Sequence, residues 1–367
     1  MQRGVTAEID LGAVSANLSA VRSISGNRKI MAVVKADAYG HGAVDVSRAL
    51  VQSGADCLAV AFTAEAAVLR EAGIVAPIIV LFDPDIEDVL EYELIPVLSD
   101  MKSARAFARE AEKRGKRITV HVKVDTGMGR LGLFSQPAKD ILEIATYSGI
   151  RVGGIMSHLS EADLADPAFA LQQIAALSLL RAELLQNGLD IKLFHIANSA
   201  SVIGIPESLF DAVRPGIMLY GYSPLQAARV ASGVTLAPVM SIKARLISLR
   251  RLCTGTPISY ARTYVTGRES LIGVMAVGYA DGFNTRFSNN AEVLVRGKRA
   301  PVVGRVCMDL TMVDLTDIEG VTEDDEAVII GRQGGDYIGA DDLARRIQTI
   351  PYEILTSLGS RAKRRYL

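Results

Sequence analysis

From about residue 10 to 215, short β-branched runs alternate with amphipathic stretches of helix length, and this alternation most restricts what the chain can become. Candidate strands lie at 29–34, 57–62, 77–82, 95–98, 118–124, 152–157, 193–197 and 212–214. The stretches 101–114, 137–147 and 167–187 between them repeat apolar residues with helical spacing, and Asn187-Gly188 supplies a stop for the last. Strands that alternate with helices pair in parallel, and eight of them is the count of a (β/α)8 barrel.

After Tyr220-Gly221-Tyr222-Ser223-Pro224 the pattern changes. Short strands at 239–248, 270–277, 292–295, 301–303, 311–314 and 326–330 are separated or closed by turns such as Arg296-Gly297-Lys298 and Gly334-Gly335-Asp336, with one helix near 341–347. At 367 residues the chain exceeds what one core usually holds. The expected fold is therefore α/β, an N-terminal (β/α)8 TIM-type barrel over 8–230 and a C-terminal β-rich domain over 231–367, with residues 1–7 free to pack with the latter.

Net charge is −1 with both signs interspersed, which gives no reason to expect nucleic acid or an anionic membrane as partner. Three scattered cysteines, Cys57, Cys253 and Cys307, form neither a disulfide framework nor a metal site. The N-terminus carries charges where a signal peptide needs apolar residues, and no run approaches a membrane span, so a cytoplasmic location is expected. Small-molecule chemistry is the default.

In a barrel of this kind chemistry sits on the loops after the strands. There the chain places Lys35 and Tyr39, then Lys123, Asp125 and Arg130, then His158, then Asn198 and Ser199, and finally Arg214. Lys35 ends a run buried on both faces by its composition, and a desolvated lysine attacks carbonyl groups, including the aldehyde of pyridoxal 5′-phosphate. The hydroxyl-rich turn Asn198-Ser199-Ala200-Ser201 suits an anion or a plain helix cap, and Gly216 after Arg214-Pro215 lets backbone approach a ligand.

The segment VVKADAYGHG resembles the cofactor-lysine motif of alanine racemases. HVKVDTGMGRLG (121–132), SHLSEAD (157–163), ANSAS (197–201), VRPGIMLYG (213–221), ISYARTY (258–264), VGYADGF (277–283), GRVCMD (304–309) and PYEIL (351–355) resemble further segments of that family in the same order. The resemblance implies a pyridoxal-phosphate enzyme with a barrel followed by a β-domain, working on a small amino acid as a head-to-tail homodimer with shared active sites. It implies racemisation of L-alanine to D-alanine, a peptidoglycan precursor, with no metal.

The resemblance also implies roles. Lys35 binds the cofactor aldehyde and moves the α-proton on one face, and Tyr260 of the partner subunit acts on the other. A tyrosine is a weak base at neutral pH, so cationic neighbours must stabilise its phenolate, and the matching residues are His158 and Arg214. Arg214 faces the pyridine nitrogen and, as a permanent donor, leaves it unprotonated. Arg130 engages the substrate carboxylate, and Lys123, carbamylated, orients it. Tyr39, Ser199, Gly216, Ile217 and Tyr352 hold the phosphate, while Met308, Asp309 and Tyr279 shape the entry. One departure stands out: many relatives carry tyrosine where this chain has Met156. The alternatives are a racemase of broader small amino-acid specificity, a barrel decarboxylase, for which the glycine loop and acidic pyridine partner are missing, and a non-catalytic pyridoxal-phosphate-binding protein.

Overall fold

The computed structural model describes residues 4–225 and 234–367, and they form two compact units. One comprises residues 14–38, 43–225 and 234–237. The other comprises residues 4–13, Tyr39–Gly42 and Pro238–Leu367. The expected boundary at 230/231 lies outside the described residues, as do residues 1–3.

The first strand, β1 (Val5–Ile9), belongs to the second unit. The first unit carries eight parallel strands: β2 (Lys29–Val33), β3 (Cys57–Val60), β4 (Ile78–Val80), β5 (Ile95–Leu98), β6 (Ile118–Lys123), β7 (Ile150–Met156), β8 (Phe194–His195) and β9 (Ala212–Val213). They pair in chain order from β2 to β8, with β9 beside β2. Asp211 N–H to Phe194 O at 3.0 Å and Arg214 N–H to Ala197 O at 3.0 Å complete the ring. Ile30–Val33 and all of β3 and β4 are buried, as expected of strands covered on both faces.

Between strands the chain stops and starts helices by local means. The Asp100 carboxylate accepts the Ser103 N–H at 2.8 Å and opens helix Met101–Lys113, while Pro137 begins helix Pro137–Ala145. Helix Ala168–Gln186 overturns one expectation, since it is long and apolar enough to cross a membrane by length and composition. It packs on helix Pro137–Ala145 and buries Ala170, Gln173, Ile174, Leu177, Leu180 and Leu184.

Lys35 does not extend its strand. The ladder ends at Val33, and Ala36, Asp37, Ala38 and Tyr39 all take φ between 51° and 54°, one left-handed turn built without glycine. Left-handed backbone costs an L-residue roughly 1–2 kcal/mol each, so this turn is held by its surroundings.

The second unit is built on an antiparallel sheet around the long strand Met240–Leu252, which pairs with β1, Ser270–Met275 and Glu326–Gln333. Strand Lys363–Tyr366 adds to β1 in parallel. The strand expected at 301–303 is Lys298–Pro301, because Arg296 and Gly297, at φ 51° and 75°, turn the chain back onto Glu292–Val295. There are two terminal helices where one was expected: Ala340–Ile347 and Pro351–Gly359, the second opened by Pro351 and carrying Tyr352. Ile258, Ile272 and Val303 make a small core under Leu252, Tyr264 and Met312.

Candidate active site

Strand register assembles the barrel end of the site. Lys123 pairs with Met156, and Met156 with His195, so the three side chains lie on one face of adjacent strands. His121, two residues before Lys123, shares that face. Its ring is accommodated by a glycine: a Cβ on Gly154 would lie 3.0 Å from His121 Nε2.

A buried chain of polar groups runs through this face. Arg214, 4% exposed, donates from Nη1 to His195 Nδ1 at 2.6 Å, and from Nη2 to Ser157 O at 2.6 Å, Ile196 O at 3.2 Å and His158 Nδ1 at 3.3 Å. His195 Nε2 lies 2.9 Å from His121 Nδ1. Burial and then the Arg214 charge hold all three imidazoles down, His121 to about 3 and His158 and His195 well below the usual range. Burial also lowers Arg214, to about 9. Burial thus favours the neutral form of His158 and leaves Arg214 as the cation of the expected pair at neutral pH.

Lys123 is 1% exposed, and its Nζ has no hydrogen-bond partner among the described residues. Burial first, then Arg214 and Arg130, push its amine down to about 7 against the pull of Asp125. Asp125 itself organises the following loop. Its Oδ1 accepts from the amides of Gly127, Met128 and Gly129, and its Oδ2 from that of Arg130 at 3.2 Å. Burial raises the Asp125 carboxyl, but these four donors outweigh it and leave the group below its ordinary value.

Arg130 and Lys35 meet over one ring. Lys35 Nζ is 5.5 Å and Arg130 Cζ 5.3 Å from the Phe82 centroid. Burial, then Arg130, lowers the Lys35 amine, and Glu65 opposes them. Nearby, Ser199 Oγ accepts the N–H of Gly216 at 2.9 Å and of Met218 at 3.4 Å, while Asn198 rather than Ser199 caps the short helix that follows. Ile217 is buried at the start of the turn Ile217–Tyr220.

The second unit holds the other candidates. Tyr39 stacks obliquely against Tyr352, centroids 5.8 Å apart, and burial followed by that neighbour raises its phenol well above the ordinary value. Tyr260 is 69% exposed on a turn in which Ser259, Ala261 and Arg262 have positive φ. Ser259 Oγ donates to Arg305 O at 2.7 Å, and the amides of Tyr279 and Ala280 donate to Cys307 O and Met308 O, both at 3.0 Å. Exposed Tyr260, Tyr279, Met308 and Asp309 are thus carried on interlocked loops.

Three buried hydrogen-bonding groups are not evident from the sequence: His121, His195 and Gln173. Gln173, fully buried, donates to His158 O at 3.0 Å and accepts the Ser160 N–H at 3.0 Å. A polar residue on the inward face of an apolar helix was the available signal. For the histidines it was strand alternation with Lys123 and with the polar rim.

Comparison with known proteins agrees along the whole chain. The alanine racemase N-terminal domain matches residues 9–224 and the alanine racemase C-terminal domain residues 239–366. An alanine racemase of Thermodesulfovibrio yellowstonii is 50% identical, covering 100% of this chain and 99% of that protein. The alanine racemase of Streptomyces coelicolor superposes with a TM-score of 0.94 at 35% identity, over 99% of this chain and 98% of that one. That of Bartonella henselae, solved with covalently bound pyridoxal phosphate, has a TM-score of 0.88 at 30% identity over 99% of each chain.

Proposed function

The chain belongs to the alanine racemase family, and from that premise we propose that it interconverts L- and D-alanine with pyridoxal 5′-phosphate, using Lys35 and Tyr260 of the partner subunit as opposed bases. The observation that carries this reading is the convergence of Lys35, Arg130 and Arg214 with the Ser199 cradle at one end of the barrel. The donor set fits the cofactor: an amine lowered by burial for its aldehyde, a buried guanidinium for its pyridine nitrogen, and a hydroxyl beside backbone amides for its phosphate. Bound there, the cofactor draws electrons from the amino acid's α-carbon and makes the α-proton removable.

The residues then divide the work. Lys35, with its amine lowered, moves the α-proton on one face. Tyr260 of the partner subunit serves the opposite face, a reading supported by the exposure of Tyr260 and its neighbours Tyr279, Met308 and Asp309, which border the substrate entry. Arg214 supplies the positive charge and His158 a neutral hydrogen-bonding link toward the phenol. Arg130 grips the substrate carboxylate with a planar fork, and Lys123, once carbamylated, turns from a repelling cation into its anionic partner. Tyr39, Ser199, Gly216, Ile217 and Tyr352 bind the phosphate. The protein is a homodimer, and its D-alanine supplies peptidoglycan.

The test is chiral chromatography of L-alanine, L-serine and other small amino acids incubated with wild type, Lys35→Ala and Tyr260→Phe. Wild type should form D-alanine. Lys35→Ala should lose the cofactor's visible absorbance, whereas Tyr260→Phe should keep it and lose roughly 10²–10⁴-fold in racemisation. A yellow wild-type protein that forms no D-amino acid would instead indicate a binding protein.

A further inference from the structure

We propose that Glu65 is a positioning residue for Lys35: its carboxylate ties the peptide that follows the lysine to the end of the neighbouring strand and so fixes where the amine is presented. Glu65 Oε1 accepts the Ala36 N–H at 2.6 Å, and Oε2 accepts the Ala61 N–H at 2.6 Å and the Phe62 N–H at 3.3 Å. Helix capping accounts for the Oε2 contacts, because Glu65 is the third residue of helix Thr63–Glu71 and reaches back to its cap. It does not account for Ala36, which lies on a different loop and is the first residue of the left-handed turn.

That turn is fastened at both ends. Glu65 holds its first amide, the Ala38 N–H donates to Val34 O at 2.9 Å, and the Asp37 carboxylate accepts the Ala43 N–H at 2.7 Å. The same carboxylate fixes the backbone of Phe62, whose ring meets Phe82 edge-on at 6.4 Å, and Phe82 is the ring over which Lys35 and Arg130 lie. One carboxylate therefore holds both the peptide that follows the lysine and the backbone of the residue whose ring packs on Phe82. Glu65 is also the acid whose charge acts on that amine, against Arg130 from the loop after β6 and alongside a neutral His158 from the loop after β7.

The inference rests on Lys35 being the cofactor-bearing lysine, which Lys35→Ala tests separately through the visible absorbance. The discriminating variant is Glu65→Gln. Glutamine satisfies the same capping box, but it has one carbonyl oxygen and no charge, so it cannot also hold Ala36. Two quantities are read on the full-length protein: kcat and KM for L-alanine, and the pH midpoint of Lys35 reductive methylation after the cofactor has been removed with hydroxylamine. The expected result is an unchanged melting temperature, a methylation midpoint moved to lower pH, and kcat reduced about 10- to 100-fold with little change in KM. A wild-type methylation midpoint or a wild-type kcat overturns the proposal and leaves Glu65 as a helix cap. Should Glu65→Gln not fold, Glu65→Asp keeps the charge on a shorter stem. It is expected to lower kcat by the same order without moving the midpoint, and an unchanged kcat would overturn the proposal equally.

Discussion

Arg214 Nη1 donates a 2.6 Å hydrogen bond to His195 Nδ1, and this contact determines where the protons of two histidines sit. A guanidinium has no acceptor, so His195 must accept at Nδ1 and carry its proton on Nε2. That Nε2–H faces His121 Nδ1 at 2.9 Å, which fixes the second ring in the same tautomer.

Both rings are therefore neutral with the proton on Nε2, and nitrogen chemical shifts of histidine-labelled protein should show this form for His121 and His195 down to pH 5. The same burial makes the fold acid-labile. His121 has a folded value of about 3 against an ordinary 6.5, so the unfolded chain binds the proton first as pH falls. Its contribution is complete above pH 6.5 and is lost as pH drops toward 3, amounting to about 2 kcal/mol at pH 5. The measurement is the melting temperature between pH 7 and 5. His121→Phe, if it folds, should show a shallower fall than wild type.

Arg214 satisfies two backbone carbonyls and two imidazoles with one rigid fork. Lysine keeps the charge but cannot span these acceptors. Arg214→Lys should cost about 3 kcal/mol in urea unfolding, because each buried acceptor left unpaired costs roughly 1–3 kcal/mol.

Lys123 has an amine lowered to about 7, so it is largely neutral and open to CO2 in mildly alkaline buffer and protonated in mildly acidic buffer. Intact mass measured from bicarbonate buffer near pH 8 should show the gain of one CO2, lost on acidification and absent in Lys123→Ala. An unmodified mass in saturating bicarbonate would remove the proposed partner of Arg130.

Much of the barrel was legible because its strands combine β-branched residues with two-sided burial: the expected run at 95–98 is the observed Ile95–Leu98, and 118–124 differs from Ile118–Lys123 by one residue. The terminal strands were not legible. Lys363–Tyr366 reads Lys-Arg-Arg-Tyr, which has no apolar alternation, and it is a strand only because β1 lies beside it. The left-handed turn at 36–39 was equally hidden. Its residues are Ala, Asp, Ala and Tyr, and their conformation depends on contacts such as Glu65 to Ala36 that no local rule contains. The rim positions of Lys35 and Arg214 could be read from where they follow their strands. The buried partners, His195 beside Arg214 and Gln173 beside His158, required knowledge of which strand or helix stands opposite.

The proposed sharing of one active site between Lys35 of one subunit and Tyr260 of its partner is tested most directly by subunit mixing. Lys35→Ala and Tyr260→Phe homodimers, each nearly inactive, are dissociated together and allowed to reassociate. Each hybrid dimer then contains one site with both bases intact and one with neither. Random assortment should restore up to about a quarter of the wild-type racemisation. Hybrid dimers that form, as native mass spectrometry would show, but remain as inactive as their parents would contradict a site shared between subunits.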